Sequence, residues 1–427
     1  MFVLLILFLF VVAFLIFRFD DTVVVLAPLT CFLSMFVVPY FSLDTVSLFD
    51  LIVVVVIGLF IFKGRLHKVI TCPFLICFVA MGISYFGSNF FGIEKHWVMS
   101  IAKLLTSYGL PIVLWFSLDG EKRVALYLKS LTVLSVLLLM YGLFELILNS
   151  NPIIENGVSS RIYMNHVCLG VDARFGVRRL QSFLPLFGAF GYTCGSFFLI
   201  LLYLRVNYSS MIRMPDLILI CVLCLFVVCI LCTGTRSVYL SFLIGLCVFY
   251  KKVKKYFTYA IVLIPVVLLL LSMSSFMMDI VGSFTDTQKV GGSNTDMRED
   301  QLLISLYYFF QNPIWGNGPS FTFTTVKAFD SGIQGAESIW FVLLIEYGLV
   351  GCLAFCITII VPIYYLFKKG MTPLIFIVLM FLANKTLSSV PGISEGYFLL
   401  YIVFFVKVEL LNRQNIIRNY LIKVLNG

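Results

Sequence analysis

Charge is scarce in this sequence. Only 12% of its 427 residues are Asp, Glu, Lys or Arg and 61% are apolar, and the mean hydropathy is +1.06. Soluble domains carry roughly twice that charge and about 45–50% apolar residues, so a soluble fold is excluded. The apolar runs lack the short alternation of barrel strands. Backbone groups in lipid must be satisfied within their own segment, which makes these runs helices. Three signatures of soluble chemistry are missing as well: the GxxxxGK[ST] phosphate loop, the HExxH zinc motif and the GxSxG nucleophile elbow. ATP-driven transport and the familiar hydrolase designs lose support accordingly. No internal repeat of the kind found in many secondary transporters is visible.

A bilayer core of roughly 30 Å takes about 20 apolar residues per helix. The chain therefore reads as an all-α polytopic integral membrane protein, a single membrane-embedded domain over 1–427 with about 12 to 13 transmembrane helices. Spans are expected near 2–17, 22–41, 47–62, 69–87, 99–117, 124–149, 184–204, 215–233, 236–250, 256–275, 337–367, 371–388 and 394–410. The first run, Met1 to Phe17, has no basic leader and no small-residue cleavage site, and reads as a retained helix. Six basic connections fall on one side when the spans alternate: Lys63/Arg65/Lys68, Lys122/Arg123, Arg205/Arg213, Lys251 to Lys255, Lys368/Lys369, and the tail 411–427 with Arg413, Arg418 and Lys423. The excess of Lys and Arg on cytoplasmic loops places that side inside, with the N-terminus outside. The net charge of +9 belongs largely to these connections and gives little reason to expect nucleic acid.

The sequence has twelve cysteines, and all but Cys168 fall within expected helices. Cys221/Cys224 and Cys229/Cys232 have CxxC spacing. They lie in an uninterrupted apolar run without a nearby His or carboxylate, where Cys packs as a small hydrophobe. No metal is expected.

The alternation leaves two long loops outside, 150–183 and 276–336. The first carries Arg161, Arg174, Arg178 and Arg179 against Glu155 and Asp172. Arginines exported against the usual bias need a local reason, and an anionic ligand is the simplest one. Arg178 and Arg179 precede Ser182, Pro185, Gly188 and Gly191, so Arg179 stands just above a helix N-terminus whose free N–H groups share its preference for phosphate. The alternative is an interfacial Arg reaching for lipid headgroups. Thr233-Gly234-Thr235-Arg236-Ser237 is a polar turn between two apolar spans and suits either a helix cap or a pyrophosphate contact. In the second loop, Arg298 precedes a helical stretch closed by Asn312-Pro313-Ile314-Trp315-Gly316-Asn317-Gly318-Pro319, the pattern of a folded loop. An ion pair between Arg298 and a neighbouring acid such as Asp296 is the other reading. The eleventh span opens with Glu337-Ser338-Ile339-Trp340 and carries Glu346, Gly348 and Gly351. Glu337 complements the helix dipole, and Glu346, expected more than two turns deeper, is an intramembrane carboxylate of the kind that marks function. His166 stands in the first long loop, and Lys103 and Glu145 within spans read as pairing or reaching outward.

The ordered combination of these features resembles the bacterial O-antigen polymerase (Wzy) and O-antigen ligase superfamily. These are an Arg-rich outside loop entering a Pro/Gly helix, a TxxR turn, an Arg before an NPxxGxGP turn, and a helix with Glu337, Glu346, Gly348 and Gly351. The similarity covers mainly 174–352. It implies a metal-independent glycosyltransferase of the periplasmic face of the inner membrane, acting in lipopolysaccharide biosynthesis without cofactor or nucleotide. Its partners would be undecaprenyl-pyrophosphate-linked oligosaccharides, membrane lipids and a chain-length regulator protein. Ligases of this superfamily typically carry His where this chain has Glu337 followed by Ser338, which points to a polymerase. The residues expected to act are Glu337 as general base, with Arg298 and Arg179 stabilising the leaving pyrophosphate. Arg178, Arg236, Arg174, Ser182, Ser338, Trp340 and His166 are expected to bind substrate. The alternatives are the sugar ligase, a lipid-linked oligosaccharide flippase, and an assembly subunit.

Overall fold

The computed structural model describes residues 11–29, 48–153, 173–174, 177–184, 187–208, 215–248, 295–330, 333, 336–388 and 397–425. The expected span near 256–275 and the residues His166 and Cys168 lie outside the described residues. Residues 11–17 and 19–29 are helical about a bend at Arg18. There follow α1 (Leu48–Phe62), α2 (Leu75–Phe91), α3 (Trp97–Ser117, with a π turn over Leu105–Gly109) and α4 (Glu121–Leu148). A two-residue hairpin, β1 (Ala173–Arg174) and β2 (Val177–Arg178), precedes α5 (Phe187–Asn207), α6 (Asp216–Cys232) and α7 (Arg236–Val248). The last elements are α8 (Thr295–Phe309), α9 (Ile339–Lys368), α10 (Ile375–Leu387) and α11 (Tyr397–Leu425). The all-α expectation thus holds apart from this hairpin, among the described residues. Four helices, α3, α4, α5 and α9, are long and apolar enough to cross a membrane, and shorter apolar helices accompany them.

α5 is the hub. Phe190 lies over Gly142 of α4, and a Cβ at Gly191 would stand 2.8 Å from Val238 and 3.0 Å from Thr233. Small residues here let α5 sink between α4, α6 and α7, the close approach that packs helices in lipid. Aromatic pairs seal the other side: Tyr127 stacks on Phe404 at 4.5 Å, Phe381 meets Phe398 at 4.5 Å, and Tyr203 meets Phe405 at 5.1 Å. The outward faces carry Ile83, Val136, Leu217 and Leu353 exposed, an apolar rim suited to lipid.

The two ends of the bundle differ. At one, Asp20 accepts from Arg65 at 2.5 and 3.0 Å, from Ser117 at 3.1 Å, and lies 3.3 Å from Arg123. Arg413 donates to the Lys369 carbonyl at 2.9 Å, and Tyr208 to Glu409. These are the connections expected to be cytoplasmic. Burial disfavours the Asp20 charge, but the hydrogen bond and charge of Arg65, with Arg123, outweigh it and hold the carboxyl below its ordinary value of 3.8.

The opposite end is organised by a break in α9. Gly348 takes φ 61°, ψ −155°, a conformation almost confined to glycine. The break removes two carbonyls and two N–H groups from the helical ladder, and the loop 312–318 replaces each. Asn317 N–H donates to Ile345 O at 2.9 Å and Gly318 N–H to Glu346 O at 3.1 Å, while Leu349 N–H finds Pro313 O at 2.9 Å and Val350 N–H finds Ile314 O at 3.1 Å. A Cβ on Gly316 would collide with the Glu346 backbone, so glycine is what lets the loop lie in the break. The same loop caps α2: Ile93 and Glu94 N–H both donate to Asn317 O, at 2.7 and 2.9 Å, and Trp315 stacks on Phe91 at 5.3 Å.

The break also folds the helix back on itself. Trp340 packs edge-on against Phe355 at 5.4 Å, although a straight helix would hold these positions about 22 Å apart. Residues 339–347 therefore run down beside 349–355 from a crown at Gly348. The unbroken 31-residue span expected from hydropathy is two limbs, and Glu346 stands at their junction, level with the end of α2, rather than deep in the second limb.

Two outcomes follow for stability. Gly348→Ala should lower the thermal midpoint in detergent, at a cost of about 1–3 kcal/mol, whereas Gly58→Ala, which meets open space, should leave it unchanged. Because the Asp20 carboxyl is depressed, its contribution is present above 3.8 and is lost as pH falls through the folded-state value. The wild-type midpoint should drop more steeply than that of Asp20→Asn as pH falls below 3.8.

Candidate functional site

Among the described residues, the expected polar residues gather at the end opposite the Asp20 cluster, in three groups. The first is built on the hairpin. Ala173 pairs with Arg178 and Arg174 with Val177, which turns the chain so that Arg178 and Arg179 enter the bundle in succession. Arg178 lies 3.6 Å from the fully buried Glu145 of α4. The other oxygen of Glu145 accepts from the N–H groups of Gln181 at 3.1 Å and Ser182 at 2.7 Å. Ser182 has φ 54° and is buried, its hydroxyl donating to Leu138 O at 2.9 Å while its carbonyl accepts from Asn151 at 2.6 Å. Glu145, expected to pair or reach outward, is thus the peg on which 178–182 hangs.

Arg179 is only 7% exposed. Its guanidinium donates to Thr233 O at 2.9 Å and to the Thr235 hydroxyl at 3.0 Å, and its plane covers Phe187 at 3.1 Å from the ring centre. Leu180 N–H reaches Cys232 O at 3.1 Å. The Arg-rich loop and the Thr-Gly-Thr-Arg turn are therefore one structure, with Arg236 opening α7 beside Thr235.

The second group lies where α8, the first limb of α9 and the end of α10 meet. Arg298 donates to Leu387 O at 2.8 Å and stands 3.5 Å from Glu337. Both side chains keep a third or more of their surface open, 41% and 36%, so a solute can reach the pair. Gln301, fully buried, accepts the Glu337 N–H through its side-chain oxygen at 3.1 Å, while its amide nitrogen has no protein partner. Ser338 is the buried N-cap residue of α9, though its hydroxyl makes no cap bond. Trp340 donates its indole N–H to Thr386 at 3.1 Å. Arg298 thus pairs with Glu337, thirty-nine positions along the chain, and this long-range pair is what the loop 312–318 and the Gly348 break bring about.

Glu346 forms a third, separate group at the crown. It is 4% exposed. Thr322 N–H lies 3.4 Å away, and Ser320 N–H and the Lys103 ammonium also face it. Lys103 lies over Tyr85 and Tyr347 at 5.4 and 5.8 Å. This group holds the broken helix against α2 and α3 and does not meet Glu337.

Residues 219–356 match a family model described as O-antigen ligase. This match, over about a third of the chain, supports a likeness to the O-antigen ligase and polymerase superfamily. The matched stretch contains Arg236, Arg298, Glu337 and Glu346, and the loop that docks in the α9 break. Members of this superfamily are glycosyltransferase-like enzymes acting on lipid-linked glycans, which does not tell a polymerase from a ligase. No curated protein matches the chain.

Hydropathy did not single out Gln301, Asn384, Lys385 or Thr386. A signal was present for two of them, since Asn384-Lys385 interrupts the apolar run of α10 and an ionisable residue within a span is a functional candidate by default. The role of Glu145 yields a prediction. Glu145→Ala strands the Gln181 and Ser182 N–H groups and the Arg178 charge together, and such losses cost about 3–5 kcal/mol when one partner of a buried pair is removed. Hydrogen exchange across 178–184 should accelerate in that variant while the loop 312–318 keeps its protection.

Proposed function

We propose that this chain is an O-antigen polymerase, joining undecaprenyl-pyrophosphate-linked repeat units at the periplasmic face of the inner membrane. The observation that carries this reading is the half-open Arg298–Glu337 pair at the mouth of α9, within the stretch that matches the superfamily. An acid held beside a guanidinium is what the transfer requires. An incoming pyrophosphate competes for Arg298 and releases Glu337 to the acceptor. The terminal hydroxyl of the second repeat unit then attacks the anomeric carbon, its proton passes to Glu337, and the carbon–oxygen bond to pyrophosphate breaks with its electron pair leaving on phosphate. Arg298 and Arg179, assisted by Arg178, Arg174 and Arg236, meet the charge that develops there. Ser338, Ser182 and Trp340, with His166, complete the proposed substrate-binding set.

Glu337 supports polymerisation over ligation because, by the resemblance, ligases of the superfamily typically carry His at that position. The clustering of polar groups at one end, rather than at mid-depth, favours chemistry over flipping. Removing one preorganised donor typically costs about 3 kcal/mol, or about a hundredfold in rate. Cells carrying Arg298→Ala or Arg179→Ala, with the protein present in the membrane, should therefore show surface glycan shortened to single repeats on gels. Normal chain lengths in both variants would refute the assignment. Lipid-linked repeats confined to the inner leaflet would instead identify a flippase.

A further inference from the structure

The end of α10 lies between the two arginine groups. Tyr192 of α5 meets Phe381 of α10 at 6.5 Å, and a Cβ at Gly195 would lie 2.7 Å from Met380. The two helices thus run side by side. One turn further toward the outer end, about 5.4 Å, brings Gly188 level with Lys385. Next to Gly188 is Phe187, the ring beneath the Arg179 guanidinium. On the other flank, Thr386 holds Trp340 and Leu387 O holds Arg298. Three successive residues of α10, Lys385, Thr386 and Leu387, therefore span from the Arg179 group to the Arg298 group.

Asn384 begins this segment. It is 0% exposed, and neither its amide nitrogen nor its amide oxygen has a hydrogen-bond partner. Leaving both ends of an amide unsatisfied in a buried place is destabilising, and an isosteric Leu would avoid it. Lys385 beside it is 5% exposed, so a cation also lies inside the same turn. α10 has 13 residues, about 20 Å, and ends well short of the crown at Gly348. The segment thus lies between the two arginine groups, with Trp340 and Arg298 held directly by Thr386 and Leu387.

We propose that Asn384 and Lys385 are further donor-binding residues: Asn384 hydrogen-bonds the sugar next to the pyrophosphate, and Lys385 faces the pyrophosphate itself. This rests on the glycosyltransferase reading above. An amide with a free donor and a free acceptor matches a sugar's vicinal hydroxyls, which offer both, and a buried amide left unpaired when a hydroxyl is missing discriminates strongly.

The test uses the full chain in detergent with two probes, undecaprenyl pyrophosphate alone and undecaprenyl pyrophosphate carrying one repeat unit. Asn384→Leu should bind the glycan-bearing lipid tenfold or more weakly, bind undecaprenyl pyrophosphate as the wild type does, and keep or raise the thermal midpoint. Lys385→Met should weaken both lipids, and Lys385→Arg should restore them. A lowered midpoint in Asn384→Leu shows that the amide is structural and overturns its role. Unchanged binding in both Asn384→Leu and Lys385→Met, with a wild type that binds and elongates, overturns the proposal while leaving the polymerase reading intact. A wild type that binds neither lipid overturns the functional reading itself.

Discussion

The structure depends on one exchange of hydrogen bonds. Where α9 breaks at Gly348, two N–H groups and two carbonyls leave the ladder, and the loop 312–318 returns the same number. In a bilayer an unsatisfied backbone group costs several kcal/mol, so neither half survives without the other. The helix can fold back only because the loop fills the gap, and the loop is ordered only because the gap holds it. Glycine at 348 and 316 is the chemical condition for both.

Everything proposed for the active end follows from that fold-back. It carries Glu337 and Trp340 down to the end of α10, where Thr386 and Leu387 meet Trp340 and Arg298. A straight α9 would hold Glu337 far above the bundle, away from α10 and Arg298. The Arg179 group is built by a different device. Glu145 and Asn151 pin the strand that follows the hairpin, and Thr233 and Thr235 orient the guanidinium. One group is thus positioned by backbone exchange and the other by a buried carboxylate, with α5 and α10 setting the distance between them.

Hydropathy made the helical class legible, because apolar runs of span length admit few other structures. The alternation of basic connections anticipated that Arg65, Arg123, Lys369 and Arg413 gather at one end, and Asp20 there is the partner that makes the gathering visible. Arg179, Arg236, Arg298 and Glu337 were legible as exceptions, charged residues in places where the pattern disfavours them. The break at Gly348 was not. A glycine in an apolar run reads as a packing contact, and only the loop 313–318, tens of residues upstream, shows that it is a hinge. Asn384 and Lys385 escaped for a related reason: a polar pair near the end of a span looks like a span boundary until its burial is seen.

The central claim is that this chain alone lengthens lipid-linked glycans. The most direct measurement is mass spectrometry of lipid products from proteoliposomes holding only the purified chain and undecaprenyl-pyrophosphate-linked single repeats. Lipid-linked chains of two and more repeats should form there without added metal or nucleotide. Single repeats that stay unlengthened there, but move onto lipid A core when it is supplied, would contradict it.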